Sequence, residues 1–425
     1  MSALYATHPL ELLSPLRFDL CAKYFYGKYR KTHSTFPLEL YAHHLKVWNN
    51  YSEYNNPAKQ DLDSFVAAFH KILDSIEEGG FNTDISYLPT LVGRLLNGAH
   101  RTAASLLHNK TVYCKESPIT EGQLDCGYAF LRDRRVNVPG GLGRPYADAM
   151  ALQYAKLKKN TFIVTLFPSA FGQEGPVERI LQNHCSVVYN SAIHLTGYGP
   201  FNYIRMLYEG EEWLGTWHNS FIGAQIKMKE CFKFQQPTRV YLVETDDAHG
   251  LVEAKRLIRQ IYNIGNDSVH INDTHEETLR IATSVFNQNS VKFLNECAPK
   301  YFNNFETYFG QLQHWCKNNA VETDDLCVDA SAVLSVYGLR DCRDVDFLYL
   351  EDHIETGTHD FSCHNGEPKY YPMHKDEVIV NPTHHFFYQG IKFATPEVIG
   401  MMKKIRCEEK DLKDIQLLNT IRRQA

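Results

Sequence analysis

The sequence predicts a multidomain α/β protein, and three observations carry that prediction. The chain has 425 residues, room for two or three domains, and 44% of them are hydrophobic, so every part can bury a core. Between residues 159 and 300, apolar strand-like runs alternate with helical periodicity. In the last third, an apolar run ends at Ser331, a short helical stretch follows, and a second strand comes after it. The expected segments are 1–158, 159–300 and 301–425.

Composition excludes several classes. A formal net charge of −6 argues against a dedicated nucleic-acid binder, which normally carries a basic excess. No apolar stretch reaches the roughly 18 residues of a membrane span. The opening MSALYATHPLELLSPLRF lacks a basic region followed by an apolar core, so a soluble, cytoplasmic chain is expected. The 11 cysteines include no CxxC pair and read as buried thiols in a reducing compartment.

The first segment contains a clear helix over 61–78. Phe65, Phe69, Ile72 and Ile76 recur at helical spacing, and Gly79-Gly80 stops it. TLVGRLLNGAHRTAASLLHNKTVYC follows. Here 91–96 reads as a strand pair around Gly93, Asn97-Gly98 as a turn, and 100–108 as a helix with His100 and Arg101 in its first turn. Glycine lets a backbone approach phosphate, a helix N-terminus offers free N–H groups, and arginine adds a bidentate clamp. The alternative is that His100 and Arg101 merely cap a local helix. This strand–NGAHR–helix arrangement resembles the ParB/sulfiredoxin fold, an α+β domain. The resemblance implies that Gly98, His100 and Arg101 contact phosphate, with His100 catalytic. Asn97 stands where that family often has a catalytic acid. VNVPGGLGRPY, at 136–146, reads as a mobile loop or linker before a helix over 148–157, and a phosphate loop is the other reading.

In the middle segment, strands over 162–167, 186–189, 239–243 and 268–271 alternate with helices. Their βαβ order predicts a mostly parallel sheet, with ligands beyond the carboxyl ends of strands. Two clusters qualify there. One is His270, Asp273 and His275, in a stretch that also suits simple helix capping. The other is Asn202, Arg205 and Glu209, on one helical face.

The last segment reads CVDASAVLSVYGLRDCRDVDFLYL at 327–350. A strand ends in a tight turn at Ser331, 332–339 form a short helix, and Val345, Phe347 and Tyr349 line one face of the next strand. Asp344 and Asp346 are two residues apart, so their carboxylates share a side. Two such acids repel unless a cation lies between them, and oxygen-only ligation suits Mg²⁺. This pattern resembles the polymerase-β-like nucleotidyltransferases, whose signature is a glycine/serine turn, a short helix and an acid–x–acid strand. The resemblance implies that Ser331 contacts the nucleotide phosphates and that Asp344 and Asp346 bind Mg²⁺. Ala330 stands where the family usually has glycine. The stretch GIKFATPEVIGMMKKIRCEEKDLKDIQLL, 390–418, is similar to the tail of small stand-alone members, with Arg406, Lys410, Asp411 and Asp414 in a charged run; Lys410 is the expected nucleotide contact. A third carboxylate is expected at Asp376 or Glu377, just before the apolar 378–380.

These readings predict an Mg²⁺-dependent transferase with a nucleoside triphosphate as donor. It would move a nucleotidyl or phosphoryl group to a small metabolite, sugar phosphate or glycan precursor, and a bifunctional kinase/nucleotidyltransferase is one form of it. The alternatives are a protein- or RNA-modifying nucleotidyltransferase and a degenerate nucleotide-binding module.

Overall fold

A computed structural model describes residues 3–53, 56–118 and 125–424. It is a mixed α/β protein with three separate sheets among the described residues. No helix among the described residues is long and apolar enough to cross a membrane.

The first part comprises β1 (Leu4–Thr7), α1 (Asp19–Tyr29), α2 (Phe36–Asn49), α3 (Leu62–Gly79), β2 (Leu88–Leu91), β3 (Arg94–Leu95), α4 (Ala99–Leu107), β4 (Val112–Glu116), α5 (Tyr128–Asp133) and α6 (Arg144–Leu157). Its sheet runs β1-β4-β2-β3. The predicted helix is α3: Asp61 and Ser64 form a reciprocal cap, and Gly80 ends it at φ 73°. Phe65, Phe69, Leu73 and Ile76 bury its inner face. The expected linker around Gly141 is instead packed structure. A Cβ on Gly141 would lie 2.0 Å from the Arg132 carbonyl oxygen, and Gly143 directly precedes α6, which begins four residues earlier than expected.

The middle part comprises β5 (Thr161–Leu166), α7 (Glu174–His184), β6 (Ser186–Ile193), α8 (Gly199–Leu207), α9 (Ile222–Cys231), β7 (Thr238–Glu244), α10 (Ala248–Tyr262), β8 (Val269–Ile271), α11 (His275–Val285) and α12 (Gln288–Glu296). The expected parallel sheet is not found. The order is β6-β7-β5-β8, and every neighbouring pair is antiparallel. Each βαβ unit does run parallel within itself, but its crossover skips one place and a strand of the other unit fills the gap, an interlocked split-βαβ arrangement. Burial explains the misreading. Val240 and Leu242 face the core shared with α8 and α11, while Tyr241 and Val243 face α7 and α10. Two-sided burial gives continuous apolar strands, the usual mark of a parallel sheet.

The last part comprises α13 (Asn303–Asn318), β9 (Leu326–Val328), α14 (Ala330–Val336), β10 (Val345–Tyr349), β11 (Phe361–Cys363), α15 (Lys375–Val380), β12 (His385–Tyr388), β13 (Ile391–Ala394), α16 (Pro396–Arg406) and α17 (Glu409–Gln424). Its sheet runs β11-β10-β9-β13-β12. The apolar 378–380 belong to helix α15, so Asp376 precedes no strand and the expectation of a strand-borne third carboxylate is corrected.

Charge ties the parts together. Asp324, ahead of β9, pairs with Lys156 of α6 and Lys28 of α1. Burial opposes its ionisation, but Lys156, Lys392 and Lys28 outweigh that and hold its carboxyl well below the ordinary range. On α15, Asp376 and Glu377 accept the backbone N–H groups of His33 and Thr35 at 2.8 and 2.9 Å, fastening the turn before α2.

Candidate active site

The C-terminal site forms where β9 hands the chain to α14. β9 and β10 are antiparallel, with Phe347 opposite Val328. The next backbone bond, from Asp329 N–H to the Asp346 carbonyl at 2.9 Å, puts the two aspartates side by side. β11 lies parallel on the other edge of β10, with Asp346 opposite Ser362, and His364 N–H donates to the Phe347 carbonyl at 2.7 Å. Three adjacent strands thus bring Asp329, Asp346 and His364 together, with ligand atoms all within 4.8 Å of one another.

The carboxylates are held but not saturated. Asp329 is fully buried; its Oδ2 accepts from the Tyr371 hydroxyl, and His364 Nδ1 lies 3.1 Å away. Its Oδ1 is buried with no hydrogen-bond partner. Asp346 Oδ1 accepts from the Ser362 hydroxyl at 3.2 Å. Asp344 sits one residue before β10 and half-buried.

Electrostatics register the crowding. Burial, then the Asp329 and Asp344 charges, push Asp346 up to about 6, with His364 and Ser362 only partly offsetting them. Burial pushes the His364 imidazole down, but the Asp329 charge and hydrogen bond, with Asp346 behind them, hold it up at about 9. His364 therefore serves as the cation of this cluster. Because its folded value lies above the ordinary 6.5, the stability it contributes is complete below pH 6.5 and is lost as pH rises towards 9. The loss is up to roughly 3 kcal/mol. Thermal melts of metal-free protein across that window should show it, and His364→Gln should flatten the profile; an unchanged slope would contradict the pairing.

The turn between β9 and α14 is strained. Ala330 has φ 50°, a left-handed conformation that glycine adopts freely. Ala330→Gly should relieve about 1–2 kcal/mol of strain against about 0.5–1 kcal/mol of backbone entropy. Chemical denaturation should find it neutral or slightly stabilised, and a loss above 1 kcal/mol would contradict the strain. Ser331 follows at the start of α14, half-buried.

Other expected site residues go elsewhere. Asp376 clusters with His33 and His374, a second group whose ligand atoms lie within 4.8 Å, and not with Asp346. Lys410 is exposed and pairs with Glu408 at 2.9 Å. Asp411 and Asp414 are buried, and both contact Lys403, at 3.2 and 2.7 Å. Arg406 also binds Asp411, and Arg340 binds Asp414. This charged run locks α16, α17 and the segment after α14 together. Asp329, His364, Ser362 and Tyr371 were missed. Asp329 directly precedes the Ala-Ser turn, so an acid at a strand end was the available signal; the other three become neighbours only through strand pairing.

In the first part, the NGAHR turn lines a cavity of about 710 Å³, together with Arg17, Lys23, Lys59 and Arg134. Gly98 has φ 94°, and a Cβ there would come within 2.4 Å of Leu88 Cδ2. Gly98→Ala should therefore cost about 1–3 kcal/mol, measurable by urea unfolding; a wild-type midpoint would refute the close approach. Arg101 Nη1 donates to the Ser86 hydroxyl. Burial, then Lys23 and Lys59, hold the His100 imidazole well below its ordinary value, and its Nε2 lies 2.7 Å from the Tyr41 hydroxyl. His100 is thus a neutral ring at pH 7. The Asn97 side chain accepts its neighbour's N–H at 2.6 Å, from Gly98.

In the middle part, Thr274 caps α11 by accepting the Glu277 N–H at 3.2 Å, as the capping reading requires. His270 is pushed down to about 3, first by burial and then by nearby lysines and arginines. Asn202, Arg205 and Glu209 all line one cavity.

No protein-family model matches the chain, and no curated protein or solved structure is significantly similar to it.

Proposed function

We propose that the C-terminal part is a divalent-cation-dependent transferase, moving a nucleotidyl or phosphoryl group from a nucleoside triphosphate to a small metabolite, sugar phosphate or glycan precursor. The observation that carries this reading is the convergence of Asp329, Asp346 and His364 beside the left-handed Ala330 turn, with the Asp344 charge near enough to raise Asp346. The donor set fits a hard cation. Asp329 Oδ1 is buried and unpartnered, and the acid crowding that raises Asp346 is what a cation would relieve. Asp329 and Asp346 would hold it, with the Asp344 charge nearby and His364 displaced or serving as a further ligand. A bound Mg²⁺ would supply charge neutralisation for the phosphates and the leaving group.

The chain's own residues would do the rest. Ser331 and the turn would seat the terminal phosphates. An acceptor oxygen attacks the α-phosphorus and expels pyrophosphate, or attacks the γ-phosphorus and expels the nucleoside diphosphate, losing its proton to a carboxylate in either case. The test is turnover of ATP, CTP, GTP and UTP with Mg²⁺ against pooled small alcohols and sugar phosphates, with products resolved. Pyrophosphate or diphosphate release that disappears in the Asp344→Ala/Asp346→Ala variant supports the assignment. Release that survives in that variant removes it.

The N-terminal cavity favours a second reading, a separate phosphoryl-handling site. Gly98, His100 and Arg101 line it with Arg134 and with Lys59, which pairs with Glu53 at 3.0 Å, so Arg101 and Arg134 are the cations it offers a phosphate. Arg101→Ala should abolish phosphorylation of a small alcohol while sparing nucleotidyl transfer. Equal loss of both would merge the two sites into one activity.

A further inference from the structure

A cavity of about 570 Å³ lies at the seam of the middle and C-terminal parts. Its size falls in the range that encloses small ligands. α8 contributes Arg205, α11 contributes Arg280, and α13 contributes Glu306; Trp217, Phe221 and Tyr388 supply aromatic walls.

The charges in this cavity are unusual in what they leave undone. Arg205 is half-buried, and its guanidinium carbon lies 4.0 Å from the Phe221 ring centroid and 4.5 Å from that of Trp217. It has no carboxylate within ion-pairing distance among the described residues, and its Nε is buried without an acceptor. Arg280 Nε is likewise buried and unpartnered; its Nη1 reaches Glu209 only at 3.7 Å. On α13, the half-buried Glu306 carboxylate makes no hydrogen bond or ion pair with the described residues. Arg205 and Glu306 lie close enough to feel one another's charge yet do not pair.

Buried polar groups are normally satisfied, and leaving a charged one unsatisfied costs several kcal/mol. An arginine and a glutamate lining one cavity without ion-pair partners, beside Arg280 already paired with Glu209, therefore describe a site suited to a ligand that brings both missing partners. A simple anion would leave Glu306 unanswered, and a simple cation would leave Arg205 unanswered. The Trp217 and Phe221 rings hold the Arg205 guanidinium, whose planar fork suits a bidentate carboxylate. The aromatic walls favour a planar apolar body between the charges.

We propose that this cavity binds an amino-acid-like zwitterion with an aromatic side chain, its carboxylate on Arg205 and Arg280 and its ammonium on Glu306. This site is separate from the transfer site. Ser335 and Val336, which line it, lie at the far end of α14 from Ser331. The inference does not depend on the transferase reading, because binding alone tests it.

Calorimetry on the full chain with L-tryptophan, tryptamine and indole-3-propionate separates the contributions. L-Tryptophan should bind one per chain, and each singly charged analogue at least tenfold more weakly. Arg205→Ala should bring L-tryptophan down to the affinity of tryptamine, and Glu306→Gln down to that of indole-3-propionate. Arg205→Lys keeps charge and stem, and thermal melts of all variants identify any that fail to fold. If a variant unfolds, the three ligands on the wild-type chain still decide. Equal binding of all three would reduce the cavity to an apolar pocket, and no binding of L-tryptophan at millimolar concentration would overturn the proposal outright.

Discussion

Asp346→Asn is expected to lower triphosphate turnover by about 10³-fold or more, some 4 kcal/mol of transition-state stabilisation, while leaving metal-free stability equal or higher. The two readouts should move apart because of the crowding. Asp346 sits beside Asp329, feels the Asp344 charge and is pushed up to about 6, so its ionised form is destabilising without a bound metal cation. Removing that charge relieves repulsion, and the asparagine can still accept from Ser362. Asp344→Asn should behave alike. Steady-state kinetics and urea unfolding on the same preparations check both halves. Parallel loss of activity and stability would make Asp346 a structural residue.

Lys403→Met should cost about 3 kcal/mol of unfolding free energy, the low end of what breaking a buried ion pair from one side exacts. Lys403 is buried between Asp411 and Asp414, both almost fully inaccessible. Each aspartate keeps an arginine, Arg406 or Arg340, which limits the loss. Burial opposes ionisation of Asp411, yet hydrogen bonds from Arg406 and the Glu408 N–H, with the Lys403 charge, hold it down at about 2. Lys410→Ala, on the exposed side, should change stability by no more than about 0.5 kcal/mol. Urea denaturation showing equal effects for the two lysines would contradict a buried hub.

These two experiments separate what sequence spacing reveals from what only folding reveals. Local patterns read well. The Phe65-Phe69-Ile76 periodicity gave α3, the strand–turn–helix–strand order gave β9, α14 and β10, and the NGAHR turn sits at the head of α4. Ala330 at a glycine position is matched by its left-handed backbone, a feature a single residue identity can flag. Pairing between distant strands did not read. The middle sheet hid its antiparallel order because both of its faces are buried. His364 joined Asp329 and Asp346 only through the parallel register of β11 on β10. Charged residues were the hardest to place. Lys410 and Asp411 are adjacent on α17, yet one is exposed and the other buried, and no spacing rule distinguished exposed charge from charge that joins helices.

The central claim is a hard-cation site at Asp329 and Asp346, and Mn²⁺ binding followed by electron paramagnetic resonance tests it most directly. The wild-type chain with a non-hydrolysable triphosphate should bind Mn²⁺ saturably. Asp346→Asn should weaken that binding at least a hundredfold, and Asp376→Asn, in the separate histidine cluster, should leave it unchanged. No saturable Mn²⁺ binding, or binding lost with Asp376 and kept without Asp346, would contradict the assignment.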